Sequence, residues 1–180
     1  MGAFLILLHG CLLASDALAE THGDREKKEI VARLYADYRR SFPGVGDISP
    51  QEALAFGDRD DIVWVDTRTP EEAAVSMLPC AISRREFLER RDEFRTLRIV
   101  AYCTIGYRSG LFAGEMAELG IRVLNLEGGI LGWTLEGGKV VDAQGETRRL
   151  HVYGDEWDYA PSGYETVKFG FVDRLIRNRR

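Results

Sequence analysis

The segment Ile99-Val100-Ala101-Tyr102-Cys103-Thr104-Ile105-Gly106-Tyr107-Arg108-Ser109-Gly110 constrains this chain more than any other stretch. A short apolar run ends in a cysteine, four residues separate that cysteine from Arg108, and a helical pattern follows. The order reads as a strand, a tight loop and a helix N-terminus. Backbone N–H groups at such a junction face inward and hold an anion. The anion can be the loop's own thiolate, and Arg108 adds a fixed positive charge beside it. An isolated cysteine at a strand end is most often a small core residue. Glycine, arginine and serine at defined offsets make Cys103 different: the residues from Thr104 to Ser109 build a site for a reactive, negatively charged sulfur.

The surrounding pattern sets the fold class. Ser49-Pro50-Gln51-Glu52 is a helix start, with a serine cap, proline at the first helical position and a glutamate that closes a capping box. Thr69-Pro70-Glu71-Glu72 repeats the device, and Ser83-Arg84-Arg85-Glu86 predicts a third box. Strand-like runs lie between them at Ile62–Val65, Ala81-Ile82, Ile99–Tyr102 and Val123–Leu126. Strands alternating with helices predict a three-layer α/β fold, with a mostly parallel central sheet and helices on both faces. Ligands in such sheets sit beyond the C-terminal ends of the strands, where Cys103 falls. The helix after the loop is expected from about Ser109 to Leu119, with Phe112, Ala113, Met116, Ala117 and Leu119 as its buried stripe.

Before this region, Ile30, Val31, Leu34, Tyr35 and Tyr38 recur at helical spacing and predict a helix from about Asp24 to Arg40. After Trp133, Lys139–Gly145 reads as a strand and turn, and Leu150–Tyr153 as the returning strand of a hairpin. Trp157, Tyr159, Tyr164, Phe169 and Phe171 then read as aromatics that cover an apolar face. The N-terminus is apolar from Ala3 to Leu8 and again at Leu12–Ala14, too short a stretch to span a bilayer. Ala17-Leu18-Ala19 fits a small-x-small cleavage site. A signal peptide over residues 1–19 would place the protein in the periplasm or outside the cell; an unprocessed start would leave it cytoplasmic. Leu8-His9-Gly10-Cys11 offers a weaker lipid-attachment reading.

A formal net charge of −5 argues against nucleic acid as a partner, and the basic end Arg174–Arg180 reads as a solvated tail. Three cysteines, Cys11, Cys80 and Cys103, do not make a disulfide framework. His9, His22 and His151 have no metal-ligand spacing, so neither a metal nor a cofactor is expected.

The Cys103 loop resembles the active-site loop of the rhodanese family of sulfurtransferases. Val65-Asp66-Thr67-Arg68-Thr69-Pro70-Glu71-Glu72 is similar to that family's aspartate-x-arginine segment, and Leu126-Glu127-Gly128-Gly129-Ile130-Leu131-Gly132-Trp133 to its closing glycine-glycine-x-x-x-tryptophan. Leu78-Pro79-Cys80-Ala81-Ile82 stands where the family has a histidine-isoleucine-proline-glycine-alanine stretch, with Ser76, Met77 and Cys80 as departures. The resemblance runs from about Ile48 to Gly138. It implies a rhodanese-like domain over residues 46–138, a helical arm over residues 20–45 and a C-terminal extension over residues 139–180.

The resemblance also implies a chemistry. Cys103 takes the outer sulfur of a small donor as a persulfide and passes it to a thiol, cyanide or protein cysteine. The amides from Thr104 to Ser109 hold the persulfide anion. Arg108 either binds an anionic donor or braces the loop. Thr104 stands where many relatives have arginine, which weakens the case for thiosulfate. Asp66 and Arg68 are read as a structural pair, Glu72 as a capping residue, Cys80 as a packed thiol and Trp133 as core. Related cysteine-dependent phosphatases carry one more residue in the loop, which widens it for a phosphate, so sulfur transfer is favoured over phosphate ester hydrolysis. A non-enzymatic sulfur carrier or protein-interaction module is the other reading.

Overall fold

The computed structural model describes residues 7–57 and 59–170, with side chains from Gly23 onward. The side chains of Ala17-Leu18-Ala19 and of Leu8–Cys11, together with Phe171 and Arg174–Arg180, therefore lie outside the described residues.

Five strands form one parallel sheet: β1 (Gly46–Ile48), β2 (Ile62–Asp66), β3 (Ile82–Ser83), β4 (Arg98–Tyr102) and β5 (Val123–Leu126), in the order β1-β5-β4-β2-β3. Parallel neighbours need crossovers, and helices supply them. These are α2 (Pro50–Ala55), α3 (Pro70–Val75), α4 (Arg84–Arg90) and α5 (Tyr107–Glu118); α6 (Gly129–Leu135) follows the last strand of the sheet. Because side chains alternate along a strand, β2 and β4 feed two separate cores. Val63, Val65, Ile99 and Ala101 pack with Phe87 of α4 and with Phe112 and Met116 of α5. Trp64, Val100 and Tyr102 pack on the opposite face with Ala53 of α2 and with Ile130 and Leu131 of α6. Burial of the strands on both faces is why they read as continuous apolar runs.

The helix α1 (Leu7–Arg39) extends further toward the N-terminus than the apolar spacing predicts. It contributes Val31 to one core and Tyr35 to the other. A Cβ at Gly106 would meet the Tyr35 ring and one at Gly128 would meet Val31, so α1 lies across the C-terminal ends of β4 and β5. No helix among the described residues is long and apolar enough to cross a membrane.

Several local expectations need correction. The strand β1 is one the periodicity does not show: at three residues it is too short for a pattern, and it is secured by its register against β5. The helix α5 begins two residues early, at Tyr107, because Gly106 takes a left-handed conformation and serves as its N-cap. Ala117 and Leu119 are exposed, and Phe112, Ala113 and Met116 alone form the predicted apolar stripe's buried part. Ser83 caps α4 through the Glu86 amide, but Glu86 turns its carboxylate to Arg90, so the box is open. Cys80 is exposed, not packed, and its φ of 59° is a conformation that favours glycine.

The chain after Trp133 also departs from the expected hairpin. The strands β6 (Val140–Asp142) and β7 (Gly145–Thr147) pair with each other, and a bridge from Val141 to Met77 ties them to the body. Leu150 lies instead in β8 (Arg149–His151), which pairs in parallel with β9 (Glu165–Val167). The intervening turns and one 3₁₀ turn, Asp155–Trp157, bring this segment back over the end of the sheet that carries Cys103.

Candidate active site

The strand β4 delivers Cys103 to the sheet's C-terminal edge, and the loop Cys103–Gly106 folds back on its sulfur. The Gly106 amide donates to Cys103 Sγ at 3.2 Å. Gly106 has a φ of 95°, and a Cβ there would lie 2.6 Å from the Tyr35 ring, so both the backbone and the space demand glycine. The Gly106 carbonyl accepts from Asn125 Nδ2 at 2.9 Å. The same amide donates to the Tyr35 hydroxyl, which donates in turn to Asp47 at 2.6 Å. A residue of β5 and one of α1 thus lock the turn from beneath.

The N-terminus of α6 holds the other side of the loop. The Ile130 amide donates to the Cys103 carbonyl at 2.8 Å and the Leu131 amide to the Thr104 carbonyl at 3.3 Å. This approach explains Gly129, where a Cβ would lie 2.3 Å from the Cys103 carbonyl oxygen. Gly129→Ala is expected to lower stability by about 1–3 kcal/mol through overpacking against backbone, with a left-handed φ adding to the cost. Urea unfolding measures it, and Gly23→Ala, with open space around its Cβ position, is the control.

Beside the loop, Arg108 commits both prongs of its guanidinium to one carboxylate. Its Nη1 and Nη2 lie 2.7 and 2.9 Å from Oε2 and Oε1 of Glu72. Arg108 therefore braces the loop against α3, and its charge is balanced where it stands. Glu72 is more than the capping residue expected from the sequence. It accepts from the Thr69 amide at 2.8 Å, pairs with Arg108, and lies 3.2 Å from His151 Nδ1 of β8. The His151 contact is within ion-pair range but off the line of a ring hydrogen bond. Burial opposes ionisation of Glu72, yet His151, Arg108 and the Thr69 amide hold its carboxyl far below the usual carboxylate range.

A depressed carboxyl stabilises the fold above the unfolded glutamate value of about 4.3. That contribution declines as pH falls below this value and is lost as pH passes through the folded one. Glu72→Gln is thus expected to be less stable than the wild type at pH 7, with the gap narrowing in acid. Urea unfolding across that range tests the sign; a gap that widens in acid would contradict it.

Asp66 and Arg68 form a buried pair behind the loop and do not line the cavity in front of it. Arg68 Nε and Nη2 lie 2.9 and 2.6 Å from the two Asp66 oxygens, and Nη2 also donates to the Ser76 carbonyl at 2.6 Å. The Tyr102 hydroxyl donates to Asp66 at 2.8 Å and accepts from the Leu78 amide at 3.1 Å. Burial, with the Asp66 charge nearby, pushes the Tyr102 phenol well above its ordinary value, which keeps it a donor. The residue before Cys103 is therefore tied to β2 and to the segment where the sequence departs from the family pattern.

In front of Cys103 lies a cavity of about 440 Å³. Cys103, Thr104, Ile105, Tyr107 and Arg108 line it from the predicted loop, with Glu72 of α3 and its N-cap Thr69. Gly106 sits behind the sulfur, and Ser109 is buried in the first turn of α5. The rest of the wall was not legible as a site: Tyr38 comes from α1, and His151, Tyr153, Trp157 and Phe169 come from the segment after β7. Trp157 and Phe169 read from the sequence as cover for an apolar face. Among the described residues no group of three or more His, Cys, Asp or Glu is placed to hold a metal.

Residues 49–136 match the family model of the rhodanese-like domain. A sulfurtransferase of Allochromatium vinosum is 38% identical over 94 residues, covering 50% of this chain and 88% of that protein. A tRNA uridine(34) hydroxylase of Ralstonia nicotianae is 33% identical over 123 residues, covering 59% of this chain and 44% of that protein. Among solved structures, a thiosulfate sulfurtransferase of Pseudomonas aeruginosa superposes with a TM-score of 0.51 at 24% identity, over 66% of this chain and 23% of that one. This last likeness is one of fold.

Proposed function

The chain belongs to the rhodanese-like domain family, and from that premise we propose that it is a sulfurtransferase in which Cys103 carries the transferred sulfur as a persulfide. The observation that carries the reading is the closed loop at Cys103, whose Gly106 amide reaches the sulfur at 3.2 Å with α5 starting directly behind it. A helix N-terminus and an amide aimed at the sulfur favour negative charge at that point. In the first step the Cys103 thiolate attacks the outer sulfur of the donor. A sulfur–sulfur bond forms on Cys103, the donor's own bond to that sulfur breaks, and the leaving group departs with the electron pair. In the second step an acceptor nucleophile takes the outer sulfur and restores the thiolate. The sulfur changes carriers twice and no external oxidant is consumed.

The four residues between Cys103 and Arg108 support a loop for one added sulfur atom, and Arg108 and Glu72 pair beside it. Treatment with thiosulfate or methanethiosulfonate is expected to add one sulfur to the peptide that contains Cys103. Dithiothreitol should remove it, and cyanide should discharge it as thiocyanate with repeated turnover. Loading without turnover would make the protein a sulfur carrier. No added sulfur with either donor would reject the proposal.

A further inference from the structure

The cavity in front of Cys103 has a composition that the loop chemistry does not require. Its volume of about 440 Å³ lies within the range of sites for organic ligands, about 300–1,000 Å³. A single sulfur atom or a small oxyanion would leave most of it empty. Its wall is aromatic and pre-assembled from three separate parts of the chain. Tyr38 of α1 packs on Tyr107 of α5 with ring centroids 5.4 Å apart. Trp157 donates to the Tyr38 hydroxyl at 3.1 Å and meets Tyr153 edge to face at 5.5 Å. Phe169 lies against His151 with centroids 4.4 Å apart.

The charges in the cavity argue in the same direction. The basic residues that line it, Arg108 and His151, both face Glu72: Arg108 with both prongs of its guanidinium, His151 with Nδ1 at 3.2 Å. Thr104, at the next loop position after Cys103, is neutral. A dianion entering this space would lose water and meet basic groups already turned toward Glu72, with the Glu72 negative charge beside them. A flat apolar body would instead exchange water for the aromatic faces.

Resting on the reading of Cys103 as a persulfide carrier, we propose that this pocket selects an organic sulfane-sulfur donor with an aromatic or flat apolar body and at most one negative charge. Its reactive end points at the Cys103 loop, and its body lies against Tyr38, Tyr107, Tyr153, Trp157 and Phe169. For an organic persulfide, the bond between its two sulfurs breaks and the outer sulfur bonds to Cys103. The organic thiolate leaves with the electron pair and takes a proton from solvent.

Three donors separate the possibilities in the intact protein: benzenethiosulfonate, methanethiosulfonate and thiosulfate. The first two share one charge and one reacting group and differ in the body; each releases a sulfinate when its outer sulfur bonds to Cys103. The rate of Cys103 persulfide formation is measured by mass for each donor and divided by that donor's rate with N-acetylcysteine. The normalised benzene-to-methane ratio is expected to be about tenfold or more, the effect of covering much of one ring. Thiosulfate is expected to be the slowest. Trp157→Ala and Phe169→Ala should each lower the ratio several-fold, with thermal melts confirming that the variants fold. A wild-type ratio near one, a preference for thiosulfate, or an unchanged ratio in both folded variants would overturn the proposal while leaving sulfur transfer in place. Failure of all three donors to load Cys103 would reject the persulfide reading, and this proposal with it.

Discussion

Cys103→Ser is expected to abolish persulfide formation and to lower sulfur-transfer turnover by on the order of a thousandfold or more. The hydroxyl that replaces the thiol is not ionised near neutral pH and cannot carry a sulfane sulfur. The fold should survive, because serine is close to cysteine in size and can keep the Gly106 amide as a donor. Cys80→Ser is the paired control: Cys80 is exposed and is not among the residues that line the cavity. Mass analysis after sulfur loading, together with a thiocyanate assay, reads both variants. Wild-type turnover in Cys103→Ser would sink the assignment, as would loss of activity in Cys80→Ser with none in Cys103→Ser.

Asp66→Ala is expected to cost about 3–5 kcal/mol of stability, the usual result of removing one member of a buried ion pair. Arg68 is fully buried and remains charged, so the substitution strands a guanidinium that keeps its hydrogen bond to the Ser76 carbonyl. It also removes the acceptor of the Tyr102 hydroxyl. A domain with about 5–15 kcal/mol in total would lose a large share of it. The double variant Asp66→Ala/Arg68→Met should recover part of the loss, since it removes the stranded charge as well. Urea unfolding of the two single variants and the double closes the cycle. A single-variant loss below about 1 kcal/mol would show that the pair behaves as a solvated one and does not anchor the loop.

These two residues were accessible to sequence reasoning for different reasons. Cys103 is framed by local signals: an apolar strand, a glycine that permits the turn and a helix start. The Asp66–Arg68 pair spans two positions, close enough for a strand end to dictate it. The helix caps at Ser49 and Thr69 are equally local, and both boxes are formed. Distant contacts leave no such local signal. The cap accounts for Glu72 locally because Thr69 is three residues away, whereas Arg108 is 36 positions along the chain. The sequence reads Cys80 as a packed thiol, but it is exposed in the turn before β3, where its φ is 59°.

The alternation of strands and helices, the parallel sheet, and the cysteine loop at a strand's C-terminal end are written in the residue order. Those features follow from periodicity, capping and backbone sterics, which act over a few residues. What stands around the sulfur comes from the three-dimensional packing of distant segments. That packing balances Arg108 with Glu72, sets His151 beside that pair, and turns aromatics from both ends of the described chain into the wall of one cavity. Apolar side chains carry no label for the surface they will cover, because hydrophobic burial is non-directional. Trp157 and Phe169 satisfy the same sequence pattern whether they shield a core or face a ligand, and the path of the chain after β7 made them face Cys103.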